Sequence, residues 1–123
     1  ADSSKLIRKP TDEDRGKEFL DLIVSIQSVK SVDDAINHID EYSFGHTDGI
    51  ISNINKNINT FVQRVNSSAV TVNASTRFND GGEIGLGSEI AISTTKVSPR
   101  GPLGLEEITT YKWLIKGKGH TRV

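Results

Sequence analysis

A chain of 123 residues is enough for one domain or a piece of a larger one. Its 34% hydrophobic, 25% charged and 6% aromatic residues describe a soluble globular chain that is light in core formers. With 15 Lys plus Arg against 16 Asp plus Glu, the net charge of −1 gives no overall electrostatic case for nucleic acid or a membrane surface. The absence of cysteine excludes disulfides, thiolate zinc sites and thiol nucleophiles within these residues. No apolar run approaches the roughly 20 residues of a membrane span, and Ala-Asp-Ser-Ser-Lys carries no signal-peptide pattern. His38, His46 and His120 are scattered at no metal-ligand spacing, so no metal site is expected.

Residues 1–17 are polar and read as a lead-in loop. Residues 19–29 carry Phe19, Leu20, Leu22, Ile23, Val24, Ile26 and Val29, and their contiguous apolar centre predicts a strand covered on both faces. Ser31 is placed to cap a helix whose first turn holds Asp33 and Asp34, at the positive end of its dipole. Val32, Ala35, Ile36 and Ile39 then fall on one face. Ser43 to Gly45 ends that helix, and Gly49-Ile-Ile-Ser52 reads as a short strand. Asn53 is the expected cap of a second helix, with Ile54, Ile58, Phe61, Val62 and Val65 on one stripe. Ser68 to Asn73 is a third strand. The order β-α-β-α-β with short links predicts an α/β fold with a layered parallel sheet.

Residues 74–104 are rich in Gly and Pro and read as an irregular, functional stretch. Leu105 to Thr109 suits a turn or two of helix. Thr110 to Lys116 alternates as a strand, with Tyr111, Trp113 and Ile115 on one face. Such an isolated aromatic strand needs a pairing partner from another domain or subunit.

Asn73-Ala-Ser-Thr-Arg-Phe-Asn-Asp80 is the sharpest local feature, because ligands of open α/β sheets bind at the carboxyl ends of strands. Ser75 and Thr76 offer hydroxyls, and Arg77 offers a five-donor fork suited to carboxylate or phosphate. The residues alone allow an anion clamp or a turn with a surface arginine. Gly82, Gly85 and Gly87 reverse the dinucleotide fingerprint and follow a loop, so they are read as a loop needing positive φ rather than a phosphate cradle. Glu18, Glu83 and Glu89 are read as solvated surface before acid–base groups. His46 is read as a structural hydrogen-bonder. Arg100 could serve a site or hold a turn, and Ser88 and Ser93 lack a nucleophile context.

Val72-Asn-Ala-Ser-Thr-Arg-Phe-Asn-Asp-Gly-Gly-Glu-Ile-Gly-Leu-Gly-Ser-Glu-Ile-Ala-Ile-Ser-Thr94 resembles the signature of the gamma-glutamyl phosphate reductases, also called glutamate-5-semialdehyde dehydrogenases, of the aldehyde dehydrogenase superfamily. His46-Thr-Asp-Gly-Ile50, Arg100-Gly-Pro-Leu-Gly-Leu-Glu-Glu107 and Thr109-Thr-Tyr-Lys-Trp113 agree with it, so the resemblance runs from about Glu18 to the end. Ala91 and Val97-Ser98-Pro99 depart mildly from the family pattern.

The resemblance implies a C-terminal fragment of a longer enzyme. Residues 18–104 would be part of the catalytic domain, and residues 105–123 a helical turn and an oligomerisation strand that makes a homo-oligomer through Thr110 to Lys116. It also implies NADPH-dependent reduction of L-glutamyl 5-phosphate to glutamate 5-semialdehyde in proline biosynthesis, in the cytoplasm. The nucleophilic cysteine lies upstream in the family, so no catalytic residue falls in this chain and the piece alone would be inactive. Ser75, Thr76 and Arg77 would bind substrate, and Glu18 would hydrogen-bond a ribose of NADPH/NADP. The alternatives are a non-catalytic α/β binding or assembly module on the same scaffold, and an aldehyde dehydrogenase with another acyl substrate. The Ser-Thr-Arg-Phe run disfavours the latter, since simple aldehydes need no buried cation.

Overall fold

Ser31 starts the first helix as its sequence dictates: the backbone N–H of Asp34 donates to Ser31 Oγ at 3.1 Å. In the computed structural model, which describes residues 8–87, 96 and 99–122, this helix α1 spans Val32–Tyr42. It is followed by strand β1 (Thr47–Ile50), helix α2 (Asn55–Arg64), strand β2 (Ala69–Val72) and a short helix α3 (Leu105–Ile108). Single 3₁₀ turns occur at Asp12–Asp14 and Thr76–Phe78. β1 and β2 pair in parallel, with Thr47 beside Ala69 and Ile50 beside Val72.

Alternation along the strands assigns the two faces of this sheet. Ile50 and Val70 point to the helices, where Ile36, Phe61 and Val65 form the fully buried cluster and Val32 and Ile39 close its edge. The apolar stripe of α2 is only partly used: Phe61 and Val65 enter the core, whereas Ile54 and Val62 stay exposed. Arg64 forms an ion pair with Asp33, fastening α2 to the first turn of α1.

Two sequence expectations need correction. The predicted first strand is absent, so the order is α-β-α-β rather than β-α-β-α-β. Residues 20–23 form a local turn instead: Leu20 has φ of 52°, Ile23 N donates to Asp21 O at 2.8 Å, and Leu22 N donates to Asp21 Oδ1 at 2.7 Å. An Asp side chain that satisfies its neighbours locally competes with a strand ladder, and Leu22, Ile23, Val24 and Ile26 are all exposed. Thr110 to Lys116, expected to pair with another domain or subunit, has no strand pairing among the described residues of this chain. Tyr111 and Trp113 meet edge-on at 5.8 Å, and Trp113 is 84% exposed. Finally, α2 is preceded by Ile54 rather than capped by Asn53; the nearby hydroxyl that works is Ser52 Oγ, which accepts from Ile54 N at 3.1 Å.

The segment before Phe19 is tied by a charged knot. Arg8 grips both oxygens of Asp14 at 2.6 Å, and Thr11 N and Oγ1 donate to Asp14 Oδ2 at 2.7 and 3.1 Å. These donors hold the Asp14 carboxyl well below the usual carboxylate range, the Arg8 hydrogen bonds contributing most. A lowered folded-state pKa gives a contribution that is complete above the unfolded value of about 3.9 and is lost as pH falls below it. Asp14→Asn is therefore expected to speed tryptic cleavage after Arg15 at neutral pH. In wild-type protein the protection should decline progressively as pH falls below about 4, closing the gap to Asp14→Asn when both are digested at acid pH with an acid-active protease.

Candidate functional site

The face of the sheet away from the helices carries Thr47, Gly49, Ala69 and Thr71, and the chain after β2 folds back across it. Gly49 makes this possible. A Cβ there would lie 2.4 Å from Thr71 Oγ1 and 3.4 Å from Thr76 Cγ2, so the Thr71 hydroxyl and the Thr76 methyl occupy the space a side chain would need. Thr71 Oγ1 is buried there without a hydrogen-bond partner among the described residues.

Two asparagines fasten the returning chain. Asn73, just past β2, has φ of 51°, a left-handed conformation that Asn tolerates better than most residues. Its Oδ1 accepts from Ser52 N and its Nδ2 donates to Ser52 O, both at 2.9 Å. Its own N–H donates to Ile50 O at 2.8 Å. At the other end, Asn79 Nδ2 donates to Thr47 Oγ1 at 2.6 Å.

Between these fasteners stand the three residues expected to bind substrate. Ser75 Oγ accepts from Arg77 N at 3.2 Å and so caps the 3₁₀ turn, leaving its own proton to donate. Thr76 lies over Gly49. Arg77 is exposed, and among the described residues its guanidinium forms no hydrogen bond or ion pair. The three thus share one turn next to the parallel pair.

The other candidates go elsewhere. Glu18 is exposed beyond the charged knot, remote in sequence from this turn, and its carboxylate accepts no hydrogen bond among the described residues. Ser68 Oγ donates to His46 O at 2.5 Å and lies 3.4 Å from His46 Nδ1, so its hydroxyl serves the backbone. Asp48 Oδ2 accepts from Ser43 Oγ at 2.9 Å and from Ser67 Oγ, a brace between the end of α1 and the loop before β2. Arg100 holds a turn: its Nη2 donates to Asn66 O at 2.7 Å and Gly45 O at 3.3 Å, and Nη1 to Asn66 Oδ1 at 3.2 Å. Glu83 is exposed, and Gly85 and Gly87 adopt positive φ. Glu89, Ser88, Ser93, Ala91 and Val97-Ser98 lie outside the described residues.

A cavity of about 550 Å³ lies between the N-terminal segment and α1, lined by Arg15, Lys17, Phe19, Gln27 and His38 among others and by no residue of the loop. Its Arg15 is already engaged by Tyr42 and Asp12. Among the described residues no group of three His, Asp or Glu is placed to hold a metal, and no helix is long and apolar enough to cross a membrane.

Comparison with known proteins gives a consistent answer. No family model matches the chain. Gamma-glutamyl phosphate reductase of Clostridium beijerinckii is 53% identical over 116 residues, covering 94% of this chain and 28% of the relative. The protein of the same name from Caldanaerobacter subterraneus subsp. tengcongensis is 49% identical over the same coverage. The crystal structure of gamma-glutamyl phosphate reductase from Thermotoga maritima superposes with a TM-score of 0.82 at 50% identity, over 92% of this chain and 27% of that one. The fold is therefore that of an α/β segment of a reductase. The chain belongs to the gamma-glutamyl phosphate reductase family, and it spans 28% of the length of the curated relatives it matches.

The close approach at Gly49 is open to direct measurement. In full-length protein carrying this segment, Gly49→Ala should destabilise by about 1–3 kcal/mol through overpacking. Thr71→Ala in the same molecule should restore most of that loss in a double-mutant cycle of denaturant unfolding. Thr71→Val, which replaces a buried unpartnered hydroxyl with a methyl, should be neutral or stabilising.

Proposed function

We propose that this chain is the C-terminal part of an NADPH-dependent reductase that converts L-glutamyl 5-phosphate to L-glutamate 5-semialdehyde in proline biosynthesis, in the cytoplasm. Residues 18–104 contribute to the catalytic domain, 1–17 lead into it, and 105–123 provide the segment that joins subunits through Thr110 to Lys116. The observation that carries the reading is the identity of about half of all residues to gamma-glutamyl phosphate reductases over nearly the whole chain. Support for the last part comes from Tyr111, Trp113, Leu114 and Ile115, whose apolar surface is exposed and calls for cover.

The reaction needs a thiolate from outside this chain to displace phosphate and form a thioester. NADPH, when bound, supplies the hydride that reduces the thioester and releases thiolate and aldehyde. Glu18 fits a cofactor role, because a carboxylate with neither oxygen engaged can accept from both hydroxyls of a ribose.

Arg77 pairs with the α-carboxylate of the glutamyl group, with Ser75 and Thr76 as hydroxyl donors beside it. A guanidinium is always charged and makes two parallel bonds to a carboxylate. It holds the substrate equally in ground and transition states, so its loss should appear in KM rather than kcat. In the full-length enzyme, Arg77→Ala is expected to raise KM by roughly 10–100-fold, the equivalent of a charged hydrogen bond of about 1.5–3 kcal/mol. The rise should be similar for L-glutamyl 5-phosphate and, in the reverse direction, for glutamate 5-semialdehyde, which has the carboxylate and no phosphate. A rise confined to the acyl phosphate would move Arg77 to the phosphate; no rise for either would remove it from the site.

A further inference from the structure

The aim of Arg77 has to be set by something other than its own contacts, because among the described residues its side chain makes no hydrogen bond or ion pair. The turn that carries it is held from its ends. At the far end there is one bond, from Asn79 Nδ2 to Thr47 Oγ1 at 2.6 Å. At the near end Asn73 makes three: N–H to Ile50 O at 2.8 Å, Nδ2 to Ser52 O and Oδ1 from Ser52 N, both at 2.9 Å. The last two close a ring between the side-chain amide and both backbone polar groups of one residue, Ser52, which holds the amide in place.

The same residue turns the chain. With φ of 51° at Asn73, the backbone leaves the direction of β2 and returns over β1, where Thr76 meets Gly49. Direction and attachment are thus set at one position, four residues before the guanidinium, and only Ala74, Ser75 and Thr76 intervene. Ser75 adds the cap to Arg77 N at 3.2 Å, so little freedom remains between the amide ring and the arginine backbone.

We propose that Asn73 is a positioning residue for substrate binding: its amide ring with Ser52 determines where Arg77 presents its donors. The proposal rests on the reading of Arg77 as the carboxylate-binding residue. Misplacing a binding group by about 1 Å can cost on the order of 100-fold, so the ring matters to affinity without touching substrate.

The test uses full-length enzyme and three variants. Asn73→Gly keeps the left-handed backbone accessible and deletes the ring. It should raise KM for glutamate 5-semialdehyde on the order of tenfold or more, with kcat unchanged and the melting temperature lowered by no more than about 2–4 °C. Combined with Arg77→Ala it should add only what misplacement of Ser75 and Thr76 contributes, so the two KM effects should be clearly less than multiplicative. If Asn73→Gly does not yield folded enzyme, Asn73→Asp takes its place in the same cycle. Aspartate keeps the acceptor for Ser52 N but faces Ser52 O without a donor. Multiplicative KM effects in the double variant would overturn the proposal. So would an unchanged KM in Asn73→Gly while Arg77→Ala raises it, and so would a lowered melting temperature with kcat and KM degraded together. An unchanged KM in Arg77→Ala is a different failure, because it removes the carboxylate reading itself.

Discussion

Gly49 leaves a gap on β1 that Thr71 and Thr76 fill from two sides, and the path of the chain from Asn73 to Asn79 depends on that close approach. A side chain at this position would collide with the Thr71 hydroxyl on the neighbouring strand and come into contact with the Thr76 methyl. The cost of this arrangement is a buried hydroxyl at Thr71 with no partner among the described residues. Burying a hydroxyl without a hydrogen bond is unfavourable, so the contact is maintained for the shape it gives rather than for its own energy. The helix side of the sheet is ordinary by comparison, a small apolar cluster around Ile36, Phe61 and Val65.

The two ends of the strand pair are treated differently. At the amino ends, polar side chains lock connections together: Asp48 gathers Ser43 and Ser67, and Arg100 reaches the carbonyls of Gly45 and Asn66. At the carboxyl ends, one amide ring between Asn73 and Ser52 carries the attachment. The turn that follows is thus fastened at the carboxyl ends through Asn73 and, after crossing the sheet face, at the amino end of β1 through Asn79.

Much of this was legible where the cause is local. Ser31 capped its helix, because a serine followed by two aspartates leaves little alternative. Ile36 and Phe61 went inside as their periodicity demanded. Pattern failed where the partner is distant. Residues 19–29 and 110–116 have the composition of strands, but a strand forms only against another strand, and none reaches them among the described residues. Their apolar side chains signal cover without naming it, which fits a chain spanning 28% of its relatives' length. The turn after β2 was half visible. Ser75, Thr76 and Arg77 stood out by their chemistry, but nothing in the sequence marked Asn73 as their fastener. The one available signal was an asparagine directly after a strand, a residue suited to positive φ. Arg100 had two readings, and only its contacts with Gly45 and Asn66 decided between them.

Arg100 also links two parts of the molecule. It lies a few residues before α3 and the apolar arm that follows, while its guanidinium is bonded to the connections entering β1 and β2. Its guanidinium thereby tethers the start of the tail to the backbone just ahead of both strands, so the tail departs from their amino-terminal side.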